Sequence, residues 1–224
     1  MRSSCERLAL SKPSEIPNLL PSILNHIRFI STFSKCYNSK DCISGLLQTV
    51  SNEIVHRCQA EISLNAIFEG DIQIARISLR DSIRCCYVWK NIFENVATRI
   101  NEEIKRKENG YLIWNFDETS IFARIEAFAQ RCNDLMDICD GRLQFVQSTS
   151  LCDGNTQRKL PEFGGTNGEN IRREIFELEN KFLTQLYKLR NKEYTILDVQ
   201  NSQWREDYSN FKNAVKVSAI IRFV

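Results

Sequence analysis

The stretch SIFARIEAFAQRCNDLMDICDG, residues 120–141, decides the fold class. Its apolar members Ile121, Ile125, Phe128, Cys132, Leu135 and Cys139 advance by alternating steps of four and three without a miss. Such steps keep side chains on one stripe of an α-helix. Asp117 to Ser120 offer a helix start, and Gly141 stands where a glycine commonly ends one.

Upstream lies the longest pattern. Asp71 heads it, Ile72, Leu79, Cys86, Phe93 and Ile100 recur every seventh residue, and Ala75, Ser82, Trp89 and Val96 follow at an offset of three. A helix over 71–104 would be about 50 Å long at 1.5 Å per residue, against a radius of gyration of about 17 Å for a compact chain of this length. The expectation is an elongated, rod-like bundle of long antiparallel helices. The heptad stripe either packs within that bundle or pairs with another helix, of this chain or a different one.

Closer to the start, Pro13, Pro17 and Pro21 punctuate the chain, and Leu20, Ile23, Leu24, Ile27, Ile30 and Phe33 mark the face of a first helix. Tyr37-Asn38-Ser39 interrupts it. Asn38 or Ser39 then caps a helix carrying Ile43, Leu46, Leu47, Val50, Ile54 and Cys58, and Gly70 stops the segment after Phe68. These first two helices are expected to form an antiparallel hairpin.

Downstream, Lys105 to Gly110 reads as a polar break, and Tyr111-Leu112-Ile113-Trp114-Asn115-Phe116 as an extended apolar segment lying on the bundle. From Arg142 to Asn170 the periodicity dissolves into a polar linker or mobile loop. Helical spacing returns with Ile171, Ile175, Leu178, Phe182, Leu186 and Leu189, then with Trp204, Tyr208, Phe211 and Val215. The division expected is a poorly ordered 1–16, a helical bundle over 17–141, a linker over 142–170 and a second helical pair over 171–224. The uncapped apolar end, Ile220-Ile221-Arg222-Phe223-Val224, reads as a truncation.

Composition agrees with an all-α protein. Of 224 residues 42% are hydrophobic and only eight are Gly and four Pro, too few for the turns of a sandwich or barrel. Thirty Lys and Arg against 28 Asp and Glu leave a net charge of +2, which lacks the basic footprint of a nucleic-acid or anionic-membrane binder. No run of apolar residues approaches a membrane span, the N-terminus has no signal-peptide core, and a cytosolic chain is expected. Nine cysteines (5, 36, 42, 58, 85, 86, 132, 139 and 152) fall mostly on apolar helical faces, so reduced, buried thiols are expected rather than a disulfide framework. No C-x-x-C occurs, and neither His26 nor His56 has partners at zinc-ligand spacing.

Few residues invite chemistry. Gly164-Gly165-Thr166-Asn167-Gly168 resembles a phosphate cradle opening a helix at Ile171, but the G-x-x-x-x-G-K-[ST] pattern is absent and no strand precedes it. The acidic pairs Glu102-Glu103, Asp117-Glu118 and Glu206-Asp207 are neighbours that point apart on a helix, which suits caps and solvated faces better than acid-base catalysis. Cys85-Cys86 has no nearby His to generate a thiolate, and His56, beside Val55, reads as a partly buried core residue. Trp89, Trp114 and Trp204 suit core packing better than partner anchors. No catalytic, metal-binding or cofactor-binding residue is assigned.

Segments rather than catalytic motifs carry a resemblance. Tyr37-Asn38 leads into Val50-Ser51-Asn52-Glu53-Ile54, then Glu61-Ile62-Ser63-Leu64 and Ile67-Phe68-Glu69-Gly70. Cys85-Cys86 precedes Trp89-Lys90, and Trp114 to Phe116 precedes Thr119-Ser120-Ile121-Phe122-Ala123, Phe128, Gln130-Arg131-Cys132, Asp134-Leu135 and Cys139-Asp140. Ile196-Leu197-Asp198-Val199, Trp204, Asp207-Tyr208 and Phe211-Lys212 complete the series. In this order, over 17–216, they resemble the N-terminal tail of axonemal dynein heavy chains. The resemblance implies an α-helical tail that associates with intermediate chains, light chains and other heavy chains and, through them, with axonemal doublet microtubules. It implies a place in the cytoplasm, the cytoskeleton and the axoneme of a cilium or flagellum, with no nucleic acid, membrane or small-molecule substrate. The family's ATPase ring and microtubule-binding stalk have no counterpart in these residues. The chain is therefore a fragment of a longer motor or a tail-only product, and no enzyme activity is expected of it. The alternative, which needs only the amphipathic helices, is an unrelated cytosolic helical adaptor or scaffold.

Overall fold

A computed structural model describes residues 2–34, 36–107, 114–149, 165–192 and 196–220. Among them the regular structure is helical, without a strand, in eight helices: α1 (Arg2–Leu10), α2 (Ile16–Phe33), α3 (Lys40–Glu61), α4 (Leu64–Phe68), α5 (Ile72–Lys107), α6 (Glu118–Thr149), α7 (Thr166–Arg190) and α8 (Gln203–Ile220). The all-α reading holds. The chain divides into two compact units, one of 1–63 with 77–133 and one of 64–76 with 134–224.

In the first unit α1, α2 and α3 pack on one another. Helix α2 opens earlier than the prolines suggest. Pro17 occupies its first turn, where a backbone N–H has no acceptor within the helix, and Pro21 lies inside the helix with its ring exposed. Leu20, Ile23, Leu24 and Ile27 are buried as expected, but Phe33 is 68% exposed, because the buried stripe continues to Ser31, four residues beyond Ile27. Ser39 is the N-cap of α3, its hydroxyl accepting from the Cys42 amide at 3.3 Å. Ile43, Leu47, Val50, Ile54, Val55 and Cys58 are buried below it.

Asp71 opens α5 by accepting from the Gln73 amide at 2.7 Å. The heptad stripe is buried from Ile72 through Leu79, Cys86 and Trp89 to Phe93, then drifts: Ala97 is buried while Val96 and Ile100 are half-buried. A straight helix loses about 20° against a seven-residue repeat each heptad, so a fixed repeat slides off the core after a few turns. Phe93 meets Phe122 of α6 with ring centroids 5.1 Å apart, and one turn earlier Lys90 pairs with Glu126, the reversed order of an antiparallel pair. Trp114 and Phe116 are buried and Asn115 is exposed, the alternation of an extended segment, while Tyr111, Leu112 and Ile113 lie outside the described residues.

All six members of the α6 seam are buried. Phe122, Ala129 and Ile138 are buried too, so the helix hides more than one face. Gly141 does not end it. The helix runs on to Thr149, and in the second unit the ring of Phe182 lies 3.5 Å from where a Cβ on Gly141 would stand. The long connection is correspondingly shorter, since α7 begins at Thr166, and 150–164 lie outside the described residues.

In the second unit α7 and α8 pack together, Phe182 against Phe211 at 5.5 Å, with Leu186 and Leu189 buried. Helix α4 is only five residues long and ends as Gly70 predicts, with the Gly70 amide donating to the Asn65 carbonyl at 2.8 Å. A Cβ at Gly70 would stand 3.1 Å from the Ala66 Cα, a close approach that explains the glycine. Arg142 finishes α4 from outside: its guanidinium donates to the carbonyls of Ala66 (3.1 Å), Ile67 (2.8 Å) and Gly70 (3.1 Å). Free carbonyls at a helix C-terminus carry partial negative charge, which favours such a cation.

Candidate interaction surfaces

Each tryptophan is buried, and each indole N–H finds a polar partner. Trp89 donates to the Ser51 hydroxyl at 2.9 Å, and Ser51 in turn donates to the Leu47 carbonyl at 3.1 Å. Trp114 donates to Ser31 at 3.3 Å, and its backbone is bracketed by the Asn101 amide side chain, which accepts from the Trp114 N–H at 3.0 Å and donates to its carbonyl at 3.1 Å. Trp204 donates to the Asp134 carboxylate at 2.8 Å and stacks on Tyr208. These are core residues whose polar edge fixes the register of neighbouring helices.

The other tempting residues also have structural employment. Gly165, at φ 82°, is the N-cap of α7, and its carbonyl accepts from the amides of Gly168 and Glu169. The helix therefore opens at Thr166 rather than Ile171, and the amides of Gly168 and Glu169 bond within it instead of facing a phosphate. Asp117 caps α6 by accepting from the Thr119 amide at 3.1 Å, while Glu102 and Glu103 are exposed. Glu206 bonds Gln203 and Asp207 pairs with Lys192. His56 is exposed rather than partly buried, and His26 bonds the Ser22 carbonyl at 2.7 Å.

Eight cysteines are free thiols among the described residues, and Cys152 lies outside them. Cys58, Cys85, Cys86, Cys132 and Cys139 are buried, whereas Cys36 is exposed and Cys5 and Cys42 are half-buried. Burial pushes the Cys139 thiol up to about 11, which keeps it protonated and unreactive near neutral pH. Among the described residues no three His, Cys, Asp or Glu side chains gather as metal ligands, and no helix is long and apolar enough to cross a membrane.

What stands out instead is exposed apolar surface. In the first unit Phe29 and Phe33 meet at a tilt, ring centroids 4.6 Å apart, on the outside of α2 and rim a cleft of about 400 Å³ that Ile100, Ile104 and Trp114 also line. In the second unit Phe176, Leu183 and Tyr187 lie exposed at spacings of seven and four on one stripe of α7, about 100° around the helix from its buried Phe182, Leu186 and Leu189. A groove of about 440 Å³ runs between that stripe and Phe68, closed at one end by the Arg190–Glu69 ion pair. Large side chains left in water at helical spacing are a signature of surfaces that meet another protein. Spacing alone gave no sign of either, because a helix with two apolar stripes looks the same whether one or both are buried.

Comparison with known proteins identifies the family. Residues 1–219 match the family model described as dynein heavy chain, N-terminal region 1. The chain is 37% identical over 216 residues to the Dynein-1-beta heavy chain of the flagellar inner arm I1 complex of Chlamydomonas reinhardtii, covering 96% of this chain and 4% of that one. It is 26% identical over 200 residues to the flagellar outer arm dynein beta chain of the same alga, covering 89% of this chain and 4% of the relative. With Dynein axonemal heavy chain 5 of Rattus norvegicus it shares 23% identity over 220 residues, 94% of this chain and 6% of the relative. The chain thus spans only a small part of the length of these relatives, their N-terminal region. An unrelated adaptor is set aside by these matches: the chain belongs to the N-terminal region 1 family of dynein heavy chains.

Proposed function

We propose that the chain serves as a subunit-association segment of an axonemal dynein tail, joining intermediate chains, light chains and other heavy chains and anchoring the complex indirectly to doublet microtubules. The observation that carries this reading is the pair of exposed apolar surfaces, Phe29 with Phe33 and Phe176 with Leu183 and Tyr187, on helices that each already bury a separate apolar stripe. Interfaces draw on aromatic and aliphatic anchors of this kind. The motor ATPase belongs to other parts of a dynein heavy chain, and this segment contributes binding rather than catalysis. Its place is the axoneme of a cilium or flagellum, reached by assembly in the cytoplasm.

The test is affinity purification of the tagged chain from a high-salt extract of axonemes, followed by mass spectrometry. Dynein intermediate and light chains should be recovered with it above a tag-only control. Recovery of none of them, or of heavy chains, would overturn the proposal.

A further inference from the structure

Helix α5 carries a second seam besides the buried one. Ile77, Arg80, Arg84, Tyr87 and Asn91 advance by steps of three and four, the spacing of positions a and d in a coiled coil. At 100° per residue the five lie within about 80° of the helix circumference, along about 21 Å of its length. The buried Leu79, Cys86, Trp89 and Phe93 stand on the opposite side. Every member of the outer seam is exposed, Ile77 at 58% and Tyr87 at 59%, and all five belong to the first unit.

Charge distinguishes this face from the two apolar surfaces. Among the described residues neither the Arg80 nor the Arg84 guanidinium has a hydrogen bond or an ion pair. The acids of α5 leave them uncompensated: Asp81 is half-buried at the edge of the seam, and Glu94, one step past Asn91, has the Lys90 ammonium 3.9 Å away. Tyr87 rims a groove of about 260 Å³ that Ile125 and Ala129 of α6 also line. The charged residues of that groove, Lys90 and Glu126, pair with each other.

We propose that this seam docks an acidic amphipathic helix of a partner protein, its apolar side chains against Ile77 and Tyr87 and its carboxylates against Arg80 and Arg84. The spacing selects a helix, because a seam of this period meets a facing helix every three or four residues along its length. The sign selects an acidic one, because a neutral or basic helix would cover two guanidiniums without a counter-charge. Arginine suits the role, since its planar fork grips a carboxylate through two parallel N–H···O bonds. The proposal deepens the subunit-association reading, and rests on it for the partner being a dynein subunit.

The experiment uses the 224-residue chain and two fluorescent helical peptides of about four heptads, both with leucine at a and d, one with glutamate and one with lysine at e and g. Like charges keep each peptide from pairing with itself. Binding is read by fluorescence anisotropy. The glutamate peptide is expected to bind at least about tenfold more tightly than the lysine peptide at about 0.05 M salt, with the gap closing at about 0.5 M. Arg80→Glu with Arg84→Glu should reverse the preference. Should that variant fail to fold, Arg80→Gln with Arg84→Gln should abolish it. Equal binding of both peptides, binding of neither, or a preference unchanged in the variants would overturn the seam, as would tighter binding of a single-stranded oligonucleotide that the same variants remove. Recovery of dynein subunits from axonemal extract separates the two readings. If it holds while the glutamate peptide fails, this seam alone is overturned; if the peptide binds while no subunit is recovered, the association reading falls and the acidic partner is not a dynein subunit.

Discussion

At the scale of the residue, the account rests on side chains with no room for alternatives. Phe128 sits at the middle of the α6 seam with no exposed surface. Phe128→Asp would place a carboxylate there without a counter-charge, and should cost about 4 kcal/mol or more. Urea denaturation reads this directly, and an unchanged midpoint would mean that the seam is not a core. Cys139 gives a second test through pH. Burial lifts its thiol to about 11 in the folded chain, above the ordinary cysteine range, so the native state holds that proton more tightly than the unfolded one. The resulting stability is fully present below about pH 9 and is lost as pH rises through the folded value. Thermal melts between pH 8 and 11 should fall, and Cys139→Ala should flatten the fall; identical slopes in both proteins would contradict the assignment.

At the scale of the element, legibility followed the strictness of the pattern. The α6 seam alternates four and three over its whole length, and every member is buried. The first helix was misjudged at one end, because Phe29 and Phe33 share a helical spacing of their own that competes with the Ser31 position, and a serine carries no apolar signal. Gly141 was misread for a different reason. A glycine after a periodic run looks like a stop, but this one lies inside a helix, where the ring of Phe182 approaches it. That ring stands 3.5 Å from the added Cβ, ordinary van der Waals contact, so Gly141→Ala fits without displacement. The substitution should stabilise the chain by about 0.5–1 kcal/mol, since glycine is a poor helix former. A lower denaturation midpoint in Gly141→Ala would show that the approach is tighter than this. The Arg142 cap on α4 was not legible at all, because its three carbonyl partners are more than seventy residues away in sequence and leave no local trace.

At the scale of the whole molecule, the residues that invited chemistry in the sequence hold structural positions. Acidic pairs became caps and exposed faces, the glycine-rich loop became a helix start, and the tryptophans became buried pins. The surface left over is apolar and lies on helices whose inner faces already have partners. Association through that surface is the central claim, and two double variants address it: Phe29→Asp with Phe33→Asp, and Leu183→Asp with Tyr187→Asp. These side chains are more than half exposed, and surface substitutions of this kind usually change stability by no more than about 0.5 kcal/mol. Their thermal melts should therefore stay close to that of the unaltered chain. The most direct measurement is the amount of dynein intermediate chain recovered with each variant from axonemal extract, read beside its melt. Loss of intermediate chain in at least one variant that melts normally is the result predicted; full recovery with both variants would contradict the claim that these faces are where the tail meets its partners.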